Sequence, residues 1–249
     1  MAATFERAGE GWWVWELKAR AELDYEKREA IYRQGIQQFP NSGELYANFA
    51  ILMGFGRQKL DEAEQLFRKA LELNPENADS TGNFANFMAF IRHNPDEAER
   101  LYRTALELDP HNAIKAGNFG QFLVTCDRVD EGVPLLQLAW ILNGGKPNQL
   151  SGEVALYIGI IERCTGRDDA QMLGRLKTLL LIGFQRDDWS FDAVLETAKA
   201  KLSVEDHALY SALTEAILDA DRVTTLDSFE RWRLVAPVSM DQPWEIKAG

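Results

Sequence analysis

The chain has 249 residues, of which 46% are hydrophobic and 27% charged, with a formal net charge of −12. This composition excludes a disordered chain and supplies enough apolar residues for one extended domain or two compact ones. The acidic balance repels a phosphate backbone, and no Lys/Arg run or aromatic-basic interleaving announces a local exception. A neutral or basic partner is expected, not nucleic acid.

The first fifteen residues, MAATFERAGEGWWVW, lack the uninterrupted apolar core of a signal peptide, and apolar runs such as Leu179 to Ile182 are far too short to span a bilayer. A cytoplasmic protein without a membrane partner is expected. Trp12, Trp13 and Trp15 cover more than one face of the opening segment. They either plug the end of a helical stack or mark a contact surface.

From Gly43 the chain repeats itself. GELYANFAILMGFGRQKLDEAEQLFRKALELNP (43–75) aligns without a gap on ADSTGNFANFMAFIRHNPDEAERLYRTALELDP (78–110), and Pro40, Pro75 and Pro110 set a period of 35. A third copy from Ala113 keeps Asn118 and Phe119, drops one residue before Asp130, and closes on Asn143-Gly144-Gly145. Each unit reads as two helices. Phe84, Ala85 and Met88 form an apolar stripe at helical period in the first, and Ala98, Tyr102 and Ala105 do so in the second. Between them Asn94 caps, Pro95 sits where a missing N–H is harmless, and Asp96 and Glu97 occupy a first turn that favours anions. The closing Asx-Pro stops the second helix. Ala50, Ala85 and Gly120 on first helices, with Ala63, Ala98 and Gly132 on second ones, stand where two helices must approach closely.

Downstream, 152–166 and 167–183 predict a further helical pair with the motif worn away. Three more helices follow at 190–202, 203–219 and 224–234, the last two opened by Ser203 and Thr224 in capping-box-like sequences. Residues 235–249, with Pro237 and Pro243, read as irregular, either anchored by Trp244 or frayed. Trp140, Trp189 and Trp232 read as core or cap packing.

The Asn-Phe-Ala of Asn48 and Asn83, the Asn-Phe-Gly of Asn118, the Glu-Ala before Leu-Phe or Leu-Tyr, and Ala-Leu-Glu-Leu-Asx-Pro together resemble the tetratricopeptide repeat (TPR) family. The upstream AIYRQGIQQFP with Glu44-Leu45-Tyr46 is similar to the half-a-TPR variant, although Arg28 stands where a small residue is expected. The aromatic that commonly opens the first TPR helix is Tyr46, but Thr81 and Ala116 replace it in the next two units. The resemblance implies an all-α, right-handed helical-hairpin solenoid with a C-terminal helical cap. Its parts are an N-terminal capping pair (1–42), three repeats (43–145), a degenerate pair (146–186), and a cap with tail (187–249).

It also implies a concave groove lined by first helices. Asn48, Asn83, Asn86, Asn118 and Gln121 are the expected polar contacts, with Phe55 and Phe90 as apolar ones. An asparagine offers a donor and an acceptor to a passing backbone whatever its side chains. The row is similar to the asparagine ladder of O-GlcNAc transferases and kinesin light chains, which implies an extended peptide ligand. The same asparagines could instead register neighbouring helices. Gly82 and Gly117, costly inside a helix, call for a reason such as close approach. With Glu44 and Asp79 on these surfaces and only Lys115 basic nearby, the carboxylate clamp of chaperone-tail binders is set aside.

Catalysis has little support. His93, His111 and His207 lack metal-ligand spacing, Cys126 and Cys164 lack CxxC spacing, and no phosphate loop or nucleophile elbow occurs. No catalytic residue, cofactor or metal is therefore expected. The reading is a non-enzymatic interaction scaffold. Its rivals are a regulatory subunit of a separate catalytic chain and an enzyme with an unrecognised site in the C-terminal block.

Overall fold

The computed structural model describes residues 11–184 and 191–240. Trp189 and Trp244 lie outside the described residues. The chain forms two compact units, Met1–Pro110 and His111–Gly249. All the regular elements among the described residues are helices.

The first unit holds α1 (Trp12–Ala21), α2 (Tyr25–Gln38), α3 (Gly43–Ile51), α4 (Leu60–Leu73), α5 (Ala78–Asn86) and α6 (Pro95–Leu108). Asp24, Ser42, Asn77 and Asn94 cap four of these helices through their side chains, with Pro95 following Asn94 as the sequence predicts. The second helix of one hairpin meets the first helix of the next through an aromatic stack. Tyr32 of α2 stacks on Phe49 of α3 at 5.5 Å, and Phe67 of α4 stacks on Phe84 of α5 at 5.1 Å. A cation covers each phenylalanine as well: Arg33 lies 5.1 Å from the Phe49 ring and Arg68 lies 5.5 Å from Phe84. All four rings are buried. Such a side chain contributes about 1.5–3 kcal/mol by burial, and a pair about 0.5–1.5 kcal/mol more.

The first helices of these two repeats do not end as α-helix. α3 widens into a π-turn at Leu52–Gly56 and α5 into one at Phe87–Ile91. The bonds from Arg57 N–H to the Leu52 carbonyl and from Arg92 N–H to the Phe87 carbonyl, both 3.0 Å, each span five residues. Gln58 and His93 then reverse the chain in the left-handed region. The third copy of the motif is one residue shorter, and its first helix closes without a π-turn. Cys126 N–H bonds the Phe122 carbonyl four residues back at 3.1 Å, and Asp127 takes the left-handed position. The π-turn is how a 35-residue repeat accommodates its extra residue.

The second unit holds α7 (Ala113–Thr125), α8 (Val129–Asn143), α9 (Gln149–Cys164), α10 (Ala170–Leu181), α11 (Asp192–Ala198), α12 (Val204–Leu218), a 3-10 segment (Ala220–Ser228) and α13 (Glu230–Leu234). α7 and α8 touch backbone to backbone. A Cβ on Gly132 would stand 2.8 Å from the Gly120 carbonyl oxygen, which is the close approach expected of these positions. Trp140 and Trp232 are buried, as core or cap packing requires.

The end of the chain departs from expectation. Ser203 caps α12, but no helix starts at Thr224. Residues 220–228 wind as 3-10 helix, and Phe229 is extended before the short α13. Val223 is half-buried and Leu226 buried among exposed neighbours, too few apolar contacts to hold an α-helical face. Charge fixes this segment instead. Arg231 of α13 pairs with both Asp169 and Asp206, Arg163 of α9 reaches Asp206 at 2.8 Å, and the Tyr210 hydroxyl donates to Asp169 at 2.6 Å. Residues 235–240 follow as an irregular strap along α10. Thr178 Oγ1 donates to the Val238 carbonyl, and Val238 N–H bonds the Gly174 carbonyl.

Glycine substitutions separate packing from propensity. Gly132→Ala forces two backbones apart and lowers stability by about 1–3 kcal/mol. Gly82, whose added Cβ would meet only Ala105 at 3.9 Å, gains about 0.5–1 kcal/mol as alanine. Denaturation midpoints of the two variants shift in opposite directions.

Arg231→Ala leaves Asp169 and Asp206, 1% and 6% exposed in their side chains, without their shared cation. Because Arg231 is itself partly exposed, the loss falls at the low end of about 3–5 kcal/mol. Urea unfolding monitored by Trp fluorescence measures it.

Burial lifts the Glu162 carboxyl to about 7, with Asp169 and Asp168 adding to the rise against Arg167 and Arg175. Its Oε2 is buried and has no hydrogen-bond partner among the described residues. The folded chain therefore holds this proton more tightly than the unfolded one, whose carboxyl titrates near 4.5. Stability contributed here is present at low pH and declines as pH rises from 4.5 to about 7. Glu162→Gln removes that decline: its thermal midpoint matches wild type below this window and exceeds it by a few degrees above.

Candidate functional site: the asparagines of the first helices

Asn48 and Asn83 each precede the phenylalanine that is stacked and buried from the neighbouring hairpin. One residue further on turns the helix by about 100°, so burying Phe49 and Phe84 directs both asparagines to a flank of the stack. Both are half-buried. Neither amide makes a side-chain hydrogen bond with a described residue, and neither is sealed from solvent. α3 and α5 pack against one another, and packed helices have axes about 8–10 Å apart.

Phe55 and Phe90 stand seven residues after these asparagines, in or at the π-turns. Phe55 is 45% exposed and leans edge-on against Phe87 at 6.3 Å. That approach needs Gly54, where a Cβ would stand 2.7 Å from the Phe87 ring. Phe90 is half-buried.

Asn86 is committed to its own hairpin. Its Oδ1 accepts from the Tyr102 hydroxyl at 2.6 Å, leaving its NH2 as the uncommitted end.

In the second unit Asn118 repeats the pattern of Asn48 and Asn83, half-buried and without a side-chain hydrogen bond to a described residue. Gln121 does not. It is 0% exposed, its Nε2 donates to Glu153 Oε2 at 2.8 Å, and its Oε1 has no partner among the described residues. Gly117 has the packing reason asked of it, since Leu150 would lie 2.6 Å from an added Cβ.

The sequence pattern could not reveal the partners of Asn86 and Gln121, which lie 16 and 32 residues away. It also gave no sign of a cavity of about 380 Å³ in the second unit, assembled from three separate segments of chain.

The titratable groups of the second unit are largely engaged with one another. Asp169, Asp206, Arg163, Arg231 and Tyr210 are linked by ion pairs and hydrogen bonds. His93 and His111 are exposed in turns, whereas His207 lies inside α12 with Nε2 buried and without a partner among the described residues. Among the described residues no group of three His, Cys, Asp or Glu side chains could hold a metal, and no helix is long and apolar enough to cross a membrane.

Residues 56–77 match the tetratricopeptide repeat family model. No curated protein sequence matches the chain. Among solved structures, PilW, a widely conserved type IV pilus biogenesis factor, is 15% identical, with 86% of each chain covered and a TM-score of 0.56. Pseudomonas aeruginosa pilF is 17% identical over 81% of each chain, with a TM-score of 0.52. A double mutant of MamA RS-1 is 14% identical over 78% of this chain and 97% of its own, also at 0.52. At these identities the likeness is one of fold: all-α, helical-hairpin solenoid. The segment matched by the tetratricopeptide repeat model carries the motif that recurs one period later.

Proposed function

We propose that this chain is a non-enzymatic interaction scaffold that holds an extended, neutral or basic segment of a partner protein. Asn48 and Asn83 are the central polar contacts, Asn118 repeats the group in the second unit, and Phe55 and Phe90 offer apolar contact. Asn86 contributes through its NH2, whereas Gln121, 0% exposed and bonded to Glu153, supports the helix behind the row and does not touch the segment.

The observation that carries this reading is the state of the two amides in the first unit. Each is held by a buried neighbour, yet its own donor and acceptor are satisfied by no described residue. Half-buried but open to solvent, each amide can exchange water for the backbone N–H and C=O of a passing segment at a modest net gain. A spacing of about 8–10 Å between first helices corresponds to about three residues of extended chain, at about 3.3 Å each. Two asparagines can thus grip one strand at two points.

Each amide contributes about 0.5–1.5 kcal/mol per hydrogen bond, so side-chain contacts must add to it. Exposed Phe55 is suited to that role. Glu44 and Asp79 on the same helices favour a neutral or basic segment. The net charge of −12 argues against nucleic acid. Cys126 and Cys164, neither of them in a disulfide among the described residues, fit a reducing compartment such as the cytoplasm.

Affinity capture from the native host, with wild type and Asn48→Ala/Asn83→Ala side by side, tests this. The double variant keeps its helicity and melts within about 0.5 kcal/mol of wild type, because these amides hold nothing in the chain. The wild-type partner is retained about tenfold less. A variant that melts early and loses nothing else would assign the asparagines to registering the helices.

A further inference from the structure

The cavity in the second unit has no part in the asparagine reading. It opens where α11 lies over the ends of two hairpins. Val124 of α7, Ile160 and Ile161 of α9, and Val194 and Ala198 of α11 form its floor, each under 7% exposed. Its volume, about 380 Å³, sits at the small end of pockets that take ligands, about 300–1,000 Å³. It admits one large apolar side chain rather than a helix.

The mouth is charged. Asp127, Asp130 and Glu131 face Arg128 and Lys201 around it. Lys201 at the end of the α11 segment pairs with Asp127, and Arg128 pairs with Glu131 at 2.6 Å. Asp130 makes no ion pair among the described residues, so the mouth has one carboxylate more than its own cations answer. An apolar floor beneath an unanswered carboxylate selects for an apolar group with a cation beside it. A chain of net charge −12 reinforces the choice.

We propose that this cavity is a second docking site, for a partner-protein segment in which one large apolar side chain enters the cavity and an adjacent lysine or arginine pairs with Asp130. It is separate from the asparagine row, and either site can fail without the other.

Cys164 lines the cavity and is half-buried, so its alkylation reports occupancy. Burial raises the thiol above its usual range, which sets a mildly alkaline buffer. The full chain carrying Cys126→Ser is treated with iodoacetamide, with and without millimolar acetyl-Gly-Leu-Lys-Gly-amide. The Leu-Glu and Ala-Lys counterparts serve as comparison probes.

The Leu-Lys peptide slows Cys164 alkylation several-fold while the other two do not, and Asp130→Lys reverses the order of Leu-Lys and Leu-Glu. Ala198→Phe, which fills the floor, abolishes the effect; if it does not fold, the surface change at Asp130 still decides. Protection persists in Asn48→Ala/Asn83→Ala. Equal protection by Leu-Lys and Leu-Glu overturns the proposal, as does none by any peptide. Protection that grows with protein concentration alone also overturns it, by naming a second copy of the chain as the occupant.

Discussion

The first unit depends on one recurring contact, an aromatic ring from the second helix of a hairpin laid flat on the phenylalanine of the next hairpin's first helix. Tyr32 on Phe49 and Phe67 on Phe84 lie one period apart, each phenylalanine also covered by an arginine, Arg33 or Arg68. A ring pair is non-directional in its burial but directional in its geometry, so it sets the rotation of the helix as well as its distance. Because Asn48 and Asn83 directly precede these phenylalanines, their facing follows from the stack. The ion pairs between neighbouring hairpins, such as Arg92 with Glu64 or Lys59 with Glu29, are exposed to differing degrees and contribute far less.

The extra residue of the first two repeats has a structural destination. An inserted residue in a helix can be expelled as a loop or absorbed as a π-turn, and here it is absorbed just before the reversal at Gln58 or His93. The widened turns carry Phe55 and bring Phe87 against Gly54. The third copy lacks the residue, lacks the π-turn, and has Thr125 in place of the phenylalanine. Apolar contact beside the asparagine therefore belongs to the first two repeats.

Much of this was legible because it is local. Period, caps, helix stops and the small residues at Gly120 and Gly132 all act within one hairpin, and the structure reproduces them. The asparagines were legible as a recurring position, since the apolar stripe beside them fixes one face. What separated Asn48 from Asn86, or Asn118 from Gln121, was a partner on another helix. A Tyr102 hydroxyl or a Glu153 carboxylate leaves no periodic trace near the residue it engages. The end of the chain was misread for a related reason. Thr224 and Asp227 have the chemistry of a helix start, but capping is worth about 0.5–2 kcal/mol and cannot substitute for an apolar face.

In the second unit, charge takes over work that apolar contact does in the first. α13 is five residues long, too short to hold itself as a helix. Trp232 alone among its residues is buried. Arg231 adds direction to that anchorage, because its pairs with Asp169 and Asp206 tie α13 to the start of α10 and to α12 at once. Buried ion pairs contribute little net stability once desolvation is counted, but they reject misalignment, since a shifted helix would take from Asp169 and Asp206 the cation they share. A cap secured this way does not have to cover every apolar surface beneath it. That latitude is compatible with α11 lying over the hairpin ends without closing them, with the cavity beside Cys164 as the space left open.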